Sequence, residues 1–166
     1  MSRRSGIGYI ALGSLAFAIA AICGPAAAST PSLTWRGVTQ VAVHCNVQDE
    51  RTGFDAALTG KLCDRVRALA STGAPVALRV AGFGDRALTA ANSVTLVVQG
   101  STTGAGNNRM LLFTVRAHRV SEDQPGELFG STLRAAPLAT AEPAIEQALA
   151  EVLPWKAQPL GARPIR

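Results

Sequence analysis

Residues that commonly carry catalysis or bind metals are scarce in this sequence. Its 166 residues include two histidines, three cysteines and one tyrosine, and only 16% are charged. Zinc sites usually show paired ligands such as C-x-x-C or H-x-x-x-H, and neither spacing occurs. His44 and Cys45 are adjacent, so in a strand they point to opposite faces and do not readily share a metal. We therefore expect no metal site, no cofactor and no catalytic residue.

A nucleophile elbow and a phosphate-binding loop are also missing. The motif G-x-S-x-G does not occur. Residues 94–115, VTLVVQGSTTGAGNNRMLLFTV, place Gly100, Gly104 and Gly106 after an apolar run. The segment that follows alternates with a period of two and predicts a strand, whereas a phosphate loop is followed by a helix. These glycines predict a hairpin turn, and GFGD at 82–85 predicts a second turn.

The acidic residues are not arranged as an obvious catalytic pair. Asp49, Glu50 and Asp85 are the acids from which a glycosidase-like pair could be assembled. All three lie in polar segments typical of turns, where acidic residues are common. We therefore expect them to have no catalytic role.

Dense basic runs are absent as well. The formal net charge is +5, but the arginines are scattered along the chain. Nucleic-acid-binding proteins concentrate basic residues in a patch or stripe. We expect no nucleic-acid partner, and the alternative use of these charges is weak association with anionic polymers of a cell envelope.

One long apolar run is present, at the start of the chain. Residues 1–28 combine a basic MSRR head, an apolar stretch and an A-x-A end. This pattern predicts a secretory signal peptide, cleaved between Ala28 and Ser29, and a periplasmic or secreted product. One alternative is a retained membrane anchor, for which about 17 apolar residues are short. Another is lipidation at Cys23, although Ile22 stands where a small residue is usual.

Two cysteines follow the predicted signal peptide. Cys45 lies near the end of a predicted strand, and Cys63 lies in the helix that returns over it. A helix rises about 1.5 Å per residue, so the two sulfurs can lie level. In an oxidising compartment this pair predicts a disulfide bond, which would stabilise the fold by about 3 kcal/mol in the chain-entropy model. The alternative is a pair of buried thiols.

Hydrophobic periodicity predicts one domain at 38–153. An extended leader at 29–37 precedes it, and a mobile, basic, proline-rich tail at 154–166 follows it. The predicted elements are a strand at 38–47, a helix at 54–70, strands at 75–82, 93–100, 109–120 and 126–133, and a helix at 140–153. The order β-α-β-β-β-β-α predicts an α+β two-layer sandwich with a largely antiparallel sheet and both helices on one face.

Several finer expectations follow from the same patterns. Phe54 begins the buried stripe of the first helix, Thr140 caps the second helix, and Val80 faces inward from its strand. Trp35 and Trp155 lie at the two ends of the domain, and we expect them to pack over a sheet edge or helix end more readily than to bind a ligand.

The second half of the domain resembles a known family. The segment TLVVQGSTTGAGNNRMLLFTVRAHRVSEDQPGELFGSTLRAAP and the amphipathic helix after it are similar to the amino-terminal domain of TolB-type periplasmic proteins and to the related domain of CsgG-like envelope lipoproteins. VAVHCNV and the helix at 54–70 resemble their opening strand and helix. The resemblance implies a non-enzymatic, protein-interacting module in envelope assembly or secretion, and it transfers no functional residue.

Three functional hypotheses follow. The leading one is an exported, non-catalytic α+β binding or adaptor module with an envelope protein partner, using a sheet edge or the surface around Thr114, Arg116 and His118. The second is a small hydrolase-like periplasmic enzyme built around His44, His118 and the GFGDR loop. The third is a binder of anionic envelope polymer. An enzyme predicts a deep pocket containing a histidine, and an adaptor predicts an apolar patch or an open strand edge. The oligomeric state stays open.

Overall fold

The computed structural model describes residues 35–120 and 129–157. The predicted signal peptide, most of the predicted leader and tail, and the predicted turn at 121–126 lie outside these residues. The strands and helices are β1 (Gln40–Asp49), β2 (Gly53–Phe54), α1 (Ala56–Ser71), β3 (Ala77–Val80), β4 (Ser93–Thr103), β5 (Met110–His118), β6 (Phe129–Gly130), β7 (Arg134–Pro137) and α2 (Glu142–Val152). Short 3-10 turns occur at Arg86–Leu88, Gly106–Asn108 and Leu138–Thr140.

The described strands form one mixed sheet. β1 and β4 run parallel at its centre over ten residue pairs. On one side, β3 pairs in parallel with the first part of β1, and β2 pairs antiparallel with its end. On the other side, β5 lies antiparallel to β4, and β6 and β7 lie antiparallel to β5. The sheet edge on the β1 side is therefore built from two short, separate strands.

The core lies between the sheet and both helices. Alternate residues of the long strands face the helices and are buried, as their period-two pattern predicts. The helices contribute apolar stripes to the same core cluster, including Leu62 and Val66 of α1 and Ile145 and Leu149 of α2. Both helices therefore cover one face of the sheet. The predicted α+β two-layer sandwich is confirmed.

The helix starts differ from the sequence predictions. Phe54 belongs to β2 and is 58% exposed, because α1 begins only at Ala56. Asp55 is the N-cap, and its carboxylate accepts a hydrogen bond of 2.9 Å from the Leu58 amide, which satisfies a donor that the helix leaves free. Thr140 does not cap α2, since it lies in a 3-10 turn and Ala141 takes the cap position without a side-chain hydrogen bond.

Two strand predictions also need correction. Val80 is 40% exposed, because β3 is an edge strand that ends at this residue. The predicted strand at 126–133 is represented among the described residues by the two-residue β6, and a further strand, β7, follows it at Arg134–Pro137. Between β6 and β7, the Ser131 amide donates to the Val115 carbonyl oxygen, and the Ser131 hydroxyl accepts from the Val115 amide. β6, Ser131 and β7 therefore cover the edge of β5 together.

The glycine-rich segment forms the predicted hairpin between β4 and β5. Gly104 and Gly106 have φ angles of +81° and +53°, which side-chain-bearing residues rarely adopt. Gly100 is not part of the turn. It lies within β4 opposite Phe113, and a Cβ placed there would approach the Leu112 carbonyl oxygen to 3.1 Å. Close approach of backbone, and not turn geometry, accounts for glycine at this position.

The two tryptophans pack together at one end of the domain. Their ring centroids are 5.2 Å apart in an edge-to-face arrangement. The Trp155 indole N–H donates a 2.8 Å hydrogen bond to the Ala70 carbonyl near the end of α1. Trp155 therefore packs over a helix end, as predicted, and satisfies one of the carbonyls that a helix C-terminus leaves free.

Candidate functional site

A groove opens at the sheet edge beside α1. Its volume is about 400 Å³. We call it the edge groove. Its lining residues are His44, Cys45, Asn46, Phe54, Thr59, Gly60, Cys63, Val80, Ala81, Gly82 and Phe83.

The edge groove exists because two short strands leave a gap along β1. β3 pairs with β1 only as far as Val43, and β2 pairs with it only from Gln48 onward. Between these points neither short strand covers the β1 edge. On the helix side, Gly60 presents no side chain, and a Cβ built there would meet no atom within 4 Å. Missing strand pairing and a missing side chain together leave the space open.

The predicted disulfide bond lies in this groove. Cys45 of β1 and Cys63 of α1 are bonded, with their Cα atoms 5.6 Å apart and a sequence separation of 18. Both are buried. The bond ties the helix to the strand at the point where β1 lacks a short-strand partner, so it holds both walls of the groove together.

Large apolar side chains form the rim of the groove. Phe83 is 97% exposed, and Phe54 and Val80 are also exposed. None of the lining residues is Asp, Glu, Lys or Arg. Clustered exposed apolar residues on a folded domain commonly mark a site of interaction. The groove is thus suited to an uncharged, apolar occupant.

His44 is the one side chain in the groove lining that commonly serves as an acid or base in catalysis. Its Nδ1 lies 3.0 Å from the Ala81 carbonyl oxygen. Because a carbonyl oxygen can only accept, Nδ1 is the donor in this hydrogen bond. The Thr59 hydroxyl accepts a hydrogen bond from the Val47 amide at 3.2 Å. The lining thus offers one imidazole and no carboxylate to orient it.

The enzyme hypothesis expected His44, His118 and the GFGDR loop to converge. The structure brings together His44 and the Gly82-Phe83 part of the loop. His118 lies on β5, and β4 lies between β5 and β1, so the two strands that carry the histidines are about 10 Å apart. Asp85 of the loop pairs with Arg79 at 2.7 Å and caps the 3-10 turn through the Ala87 amide. His118 and Asp85 are thus not in the groove lining.

The surface around Thr114, Arg116 and His118 lies on the sheet face away from the helices. Their inward neighbours Phe113, Val115 and Ala117 are buried in the core. Arg116 is exposed, whereas Thr114 and His118 are half-buried. Use of this surface for binding stays a prediction.

A polar cluster at the end of β1 went unrecognised in the sequence. Asp49 is the last residue of β1 and is only 8% exposed. One carboxylate oxygen accepts from the Arg51 and Thr52 amides at 3.0 and 3.2 Å. The other accepts from the Thr102 hydroxyl at 2.9 Å and from Arg109 at 2.6 Å. This bonding fills the carboxylate's acceptor sites, so Asp49 holds the turn and the β4–β5 hairpin in place and has no free lone pair for proton transfer.

The hydrogen bonds of this cluster lower the pKa of Asp49. The Thr102 hydroxyl contributes most, followed by the Arg51 amide, and the Thr52 amide and Arg109 add smaller effects. The four hydrogen-bond donors together outweigh the opposite effect of burial. Hydrogen bonds from the Ala87 amide and then from Arg79 lower the pKa of Asp85. Burial raises the pKa of Glu151, but hydrogen bonds from the Thr132 amide and Arg134 leave it lowered.

Replacing Asp49 with asparagine should reduce the acid sensitivity of the fold. The folded carboxyl has a lowered pKa, so the unfolded chain, in which the pKa is about 3.9, binds more protons in acid. The stability contributed by Asp49 is therefore present above about pH 4 and is lost as the pH falls further. We expect D49N to lower the Tm by roughly 5 °C at pH 7 and by progressively less towards pH 3.

Thermal unfolding followed by circular dichroism at a series of pH values measures this effect. D64N is the matched control. Asp64 is exposed, and its ion pair with Arg67 is long, at 3.9 Å. A Tm difference between wild type and D49N that stays constant from pH 7 to pH 3 would show that the carboxylate does not contribute through its charge.

No helix within residues 35–120 and 129–157 is long and apolar enough to cross a membrane. Within the same residues, no group of three or more His, Cys, Asp or Glu side chains is placed to hold a metal ion.

Comparison with known proteins gives only a distant structural likeness. No protein-family model matches the sequence, and no curated protein matches it. Six solved chains match. One belongs to a dodecamer of a PelC point variant from Paraburkholderia phytofirmans, with a TM-score of 0.44 and 14% sequence identity over 74% of this chain and 91% of that chain. At this level the likeness assigns no function. The fold and the groove define a two-layer α+β domain with an apolar recess at its sheet edge.

Proposed function

We propose that this chain is an exported, non-catalytic protein-binding module of the bacterial cell envelope, and that its edge groove receives an apolar side chain of another polypeptide. The observation that carries the proposal is the 97% exposure of Phe83 beside an uncharged recess. Leaving a phenylalanine in water forgoes about 1.5–3 kcal/mol of burial free energy. A surface that places Phe83, Phe54 and Val80 together is the apolar patch expected of an adaptor.

Export is supported by two independent features. Residues 1–28 carry the pattern of a secretory signal peptide. The Cys45–Cys63 bond suits the periplasm or the extracellular space, because reducing systems keep most cytosolic cysteines as thiols. The resemblance to TolB-type and CsgG-like domains leads to the further proposal of a role in envelope assembly or secretion.

One observation favours a hydrolytic enzyme as a second candidate. His44 lines the groove, as that hypothesis required. However, its Nδ1 is bonded to a backbone carbonyl, where a hydrolytic histidine usually has a carboxylate. The Thr59 hydroxyl also lines the groove, but its hydrogen bond is with the Val47 amide and not with His44. The apolar rim of the groove and the hydrogen bonding of His44 therefore favour a protein partner over a substrate of hydrolysis.

Site-specific photocrosslinking in intact cells tests the proposal. A photoreactive phenylalanine derivative is placed at position 83 in the groove rim, at position 116 on the outer sheet face, or at position 146 on α2. Glu146 is exposed and belongs to neither surface, which makes position 146 the control. We expect protein adducts, identified by mass spectrometry, from position 83.

The three positions separate the competing hypotheses. Adducts from position 116 alone would assign binding to the surface of Thr114, Arg116 and His118 and would contradict a role for the groove. Equal labelling at all three positions, or no protein adduct from position 83, would contradict specific binding at the groove.

A further inference from the structure

Phe83 is held outward by a well-anchored loop. The residue before it in the loop, Gly82, accepts a hydrogen bond from the Asp85 amide at 3.1 Å, and the Ala81 amide donates to the Val43 carbonyl at 2.9 Å. The Arg79–Asp85 ion pair closes the loop from the other side. Phe83 therefore stands clear of its own domain on a constrained turn, although its loop borders an apolar recess. An exposed aromatic side chain on a fixed backbone is suited to serve as an anchor in a binding site.

The recess beside Phe83 is large enough to accept a phenyl ring. Its volume of about 400 Å³ exceeds that of one phenylalanine side chain, and the bare backbone of Gly60 leaves the α1 wall free. A projecting side chain and a cavity thus lie next to each other on one patch of the molecule. Two copies related by a two-fold axis bring the same patch of each together, so such a patch can complement itself.

Charge favours the same arrangement. A two-fold interface places each charge close to its own copy, and like charges repel. Arg3 and Arg4 lie in the predicted signal peptide, so the exported chain has 14 basic and 11 acidic residues and a formal net charge of +3, and contact between two copies is least opposed where the surface carries no charge. The groove lining contains no Asp, Glu, Lys or Arg and avoids this repulsion. The edge groove thus combines an uncharged apolar surface with both a projection and a cavity.

We infer that the occupant of the edge groove is Phe83 of a second copy of this chain, so that two copies form a symmetric dimer by reciprocal insertion. This inference rests on the proposed function, since it names the polypeptide that the groove receives. The outer sheet face around Arg116 remains free in such a dimer to contact other envelope proteins.

Sedimentation velocity of the exported chain, purified from the periplasm, over a concentration series tests the inference. We expect a monomer–dimer equilibrium in the wild type. F83S removes the projection, and G60L fills the cavity. Each should raise the dimer Kd by roughly tenfold or more, as the loss of a buried aromatic anchor does. L133S is the matched control, because Leu133 is 69% exposed but lies outside the groove.

Mixing the two variants supplies a test that loss of folding cannot imitate. An F83S homodimer has no projecting ring, and a G60L homodimer has no open groove. In a mixed dimer, Phe83 of the G60L chain can enter the groove of the F83S chain, which restores one of the two contacts. We therefore expect differently tagged F83S and G60L chains to form mixed dimers more readily than either forms with itself.

Two results would overturn the inference. One is a wild-type chain that stays monomeric throughout the series, and the other is a dimer that F83S and G60L leave unchanged. If the wild type is monomeric while position 83 crosslinks to a different protein, the inference fails and the proposed function stands. If position 83 captures no protein, both fail.

Discussion

Replacing Cys45 and Cys63 with alanine is expected to lower the free energy of unfolding by about 3 kcal/mol. The bond joins residues separated by 18 positions, and it limits the conformations of the unfolded chain between them. It also connects β1 to α1 where neither short edge strand supports β1. Urea unfolding of the double variant and the wild type measures the difference, with the slope of each transition fitted separately because loss of the bond makes the unfolded chain less compact.

Chemical reduction gives the control for this prediction. Reduced wild type should unfold close to the urea midpoint of the double variant, because both lack the covalent link but only the variant lacks the sulfur atoms. A wild-type midpoint that does not move on full reduction would contradict the prediction. The double variant should also show weaker photocrosslinking from position 83, since the walls of the edge groove are no longer tied together.

Replacing Phe113 with alanine is expected to cost about 4 kcal/mol of folding free energy. Phe113 lies in the middle of β5, faces the helices and is 1% exposed. Its removal takes a large aromatic group out of the core and leaves a cavity that the close approach of β4 at Gly100 can fill only in part. Urea unfolding followed by far-ultraviolet circular dichroism measures the loss.

The matched control is the same truncation at an exposed phenylalanine. Phe54 is 58% exposed, so F54A should change the free energy of unfolding by less than about 1 kcal/mol. Equal losses of unfolding free energy for F113A and F54A would contradict the burial of Phe113 in the core.

Local patterns sufficed for most of the fold. The alternation of Leu111, Phe113 and Val115 predicts both the strand and its buried face, and the structure confirms both. The spacing of Ile145, Leu149 and Val152 likewise predicts the buried face of α2. These patterns succeed because burial of one face of a strand or helix is imposed on residues that are close together in sequence.

The parts that failed depend on contacts between distant segments. Phe54 has the spacing of a buried helix residue, but Asp55 caps the helix after it and leaves Phe54 at the groove rim. Asp49 has the sequence context of an exposed turn acid, yet Thr102 and Arg109 contact it from a hairpin separated by 53 to 60 positions. The one local signal for Asp49 was the polar turn after it, in which an aspartate commonly accepts bonds from the next amides.

The edge groove likewise combines features that the sequence predicts with an arrangement that only the tertiary structure provides. Each residue type that forms the groove can be recognised in the sequence: a glycine in a predicted helix, a cysteine in a predicted strand and a phenylalanine flanked by glycines. Their proximity is a consequence of sheet order, because β3 and β2 pair with different parts of β1 and leave a gap between them.

The amino-acid sequence by itself determined the fold class, the inward faces of the long strands and helices, and the hairpin. Each of these follows from local periodicity or from the reach of a short segment. Only the tertiary structure decided that β1 and β4 are parallel neighbours, that Asp49 is buried among hydrogen-bond donors, and that Phe83 stands beside an uncharged groove. Strand order and long-range contacts depend on how the whole chain shares one core, and no short window of residues encodes that.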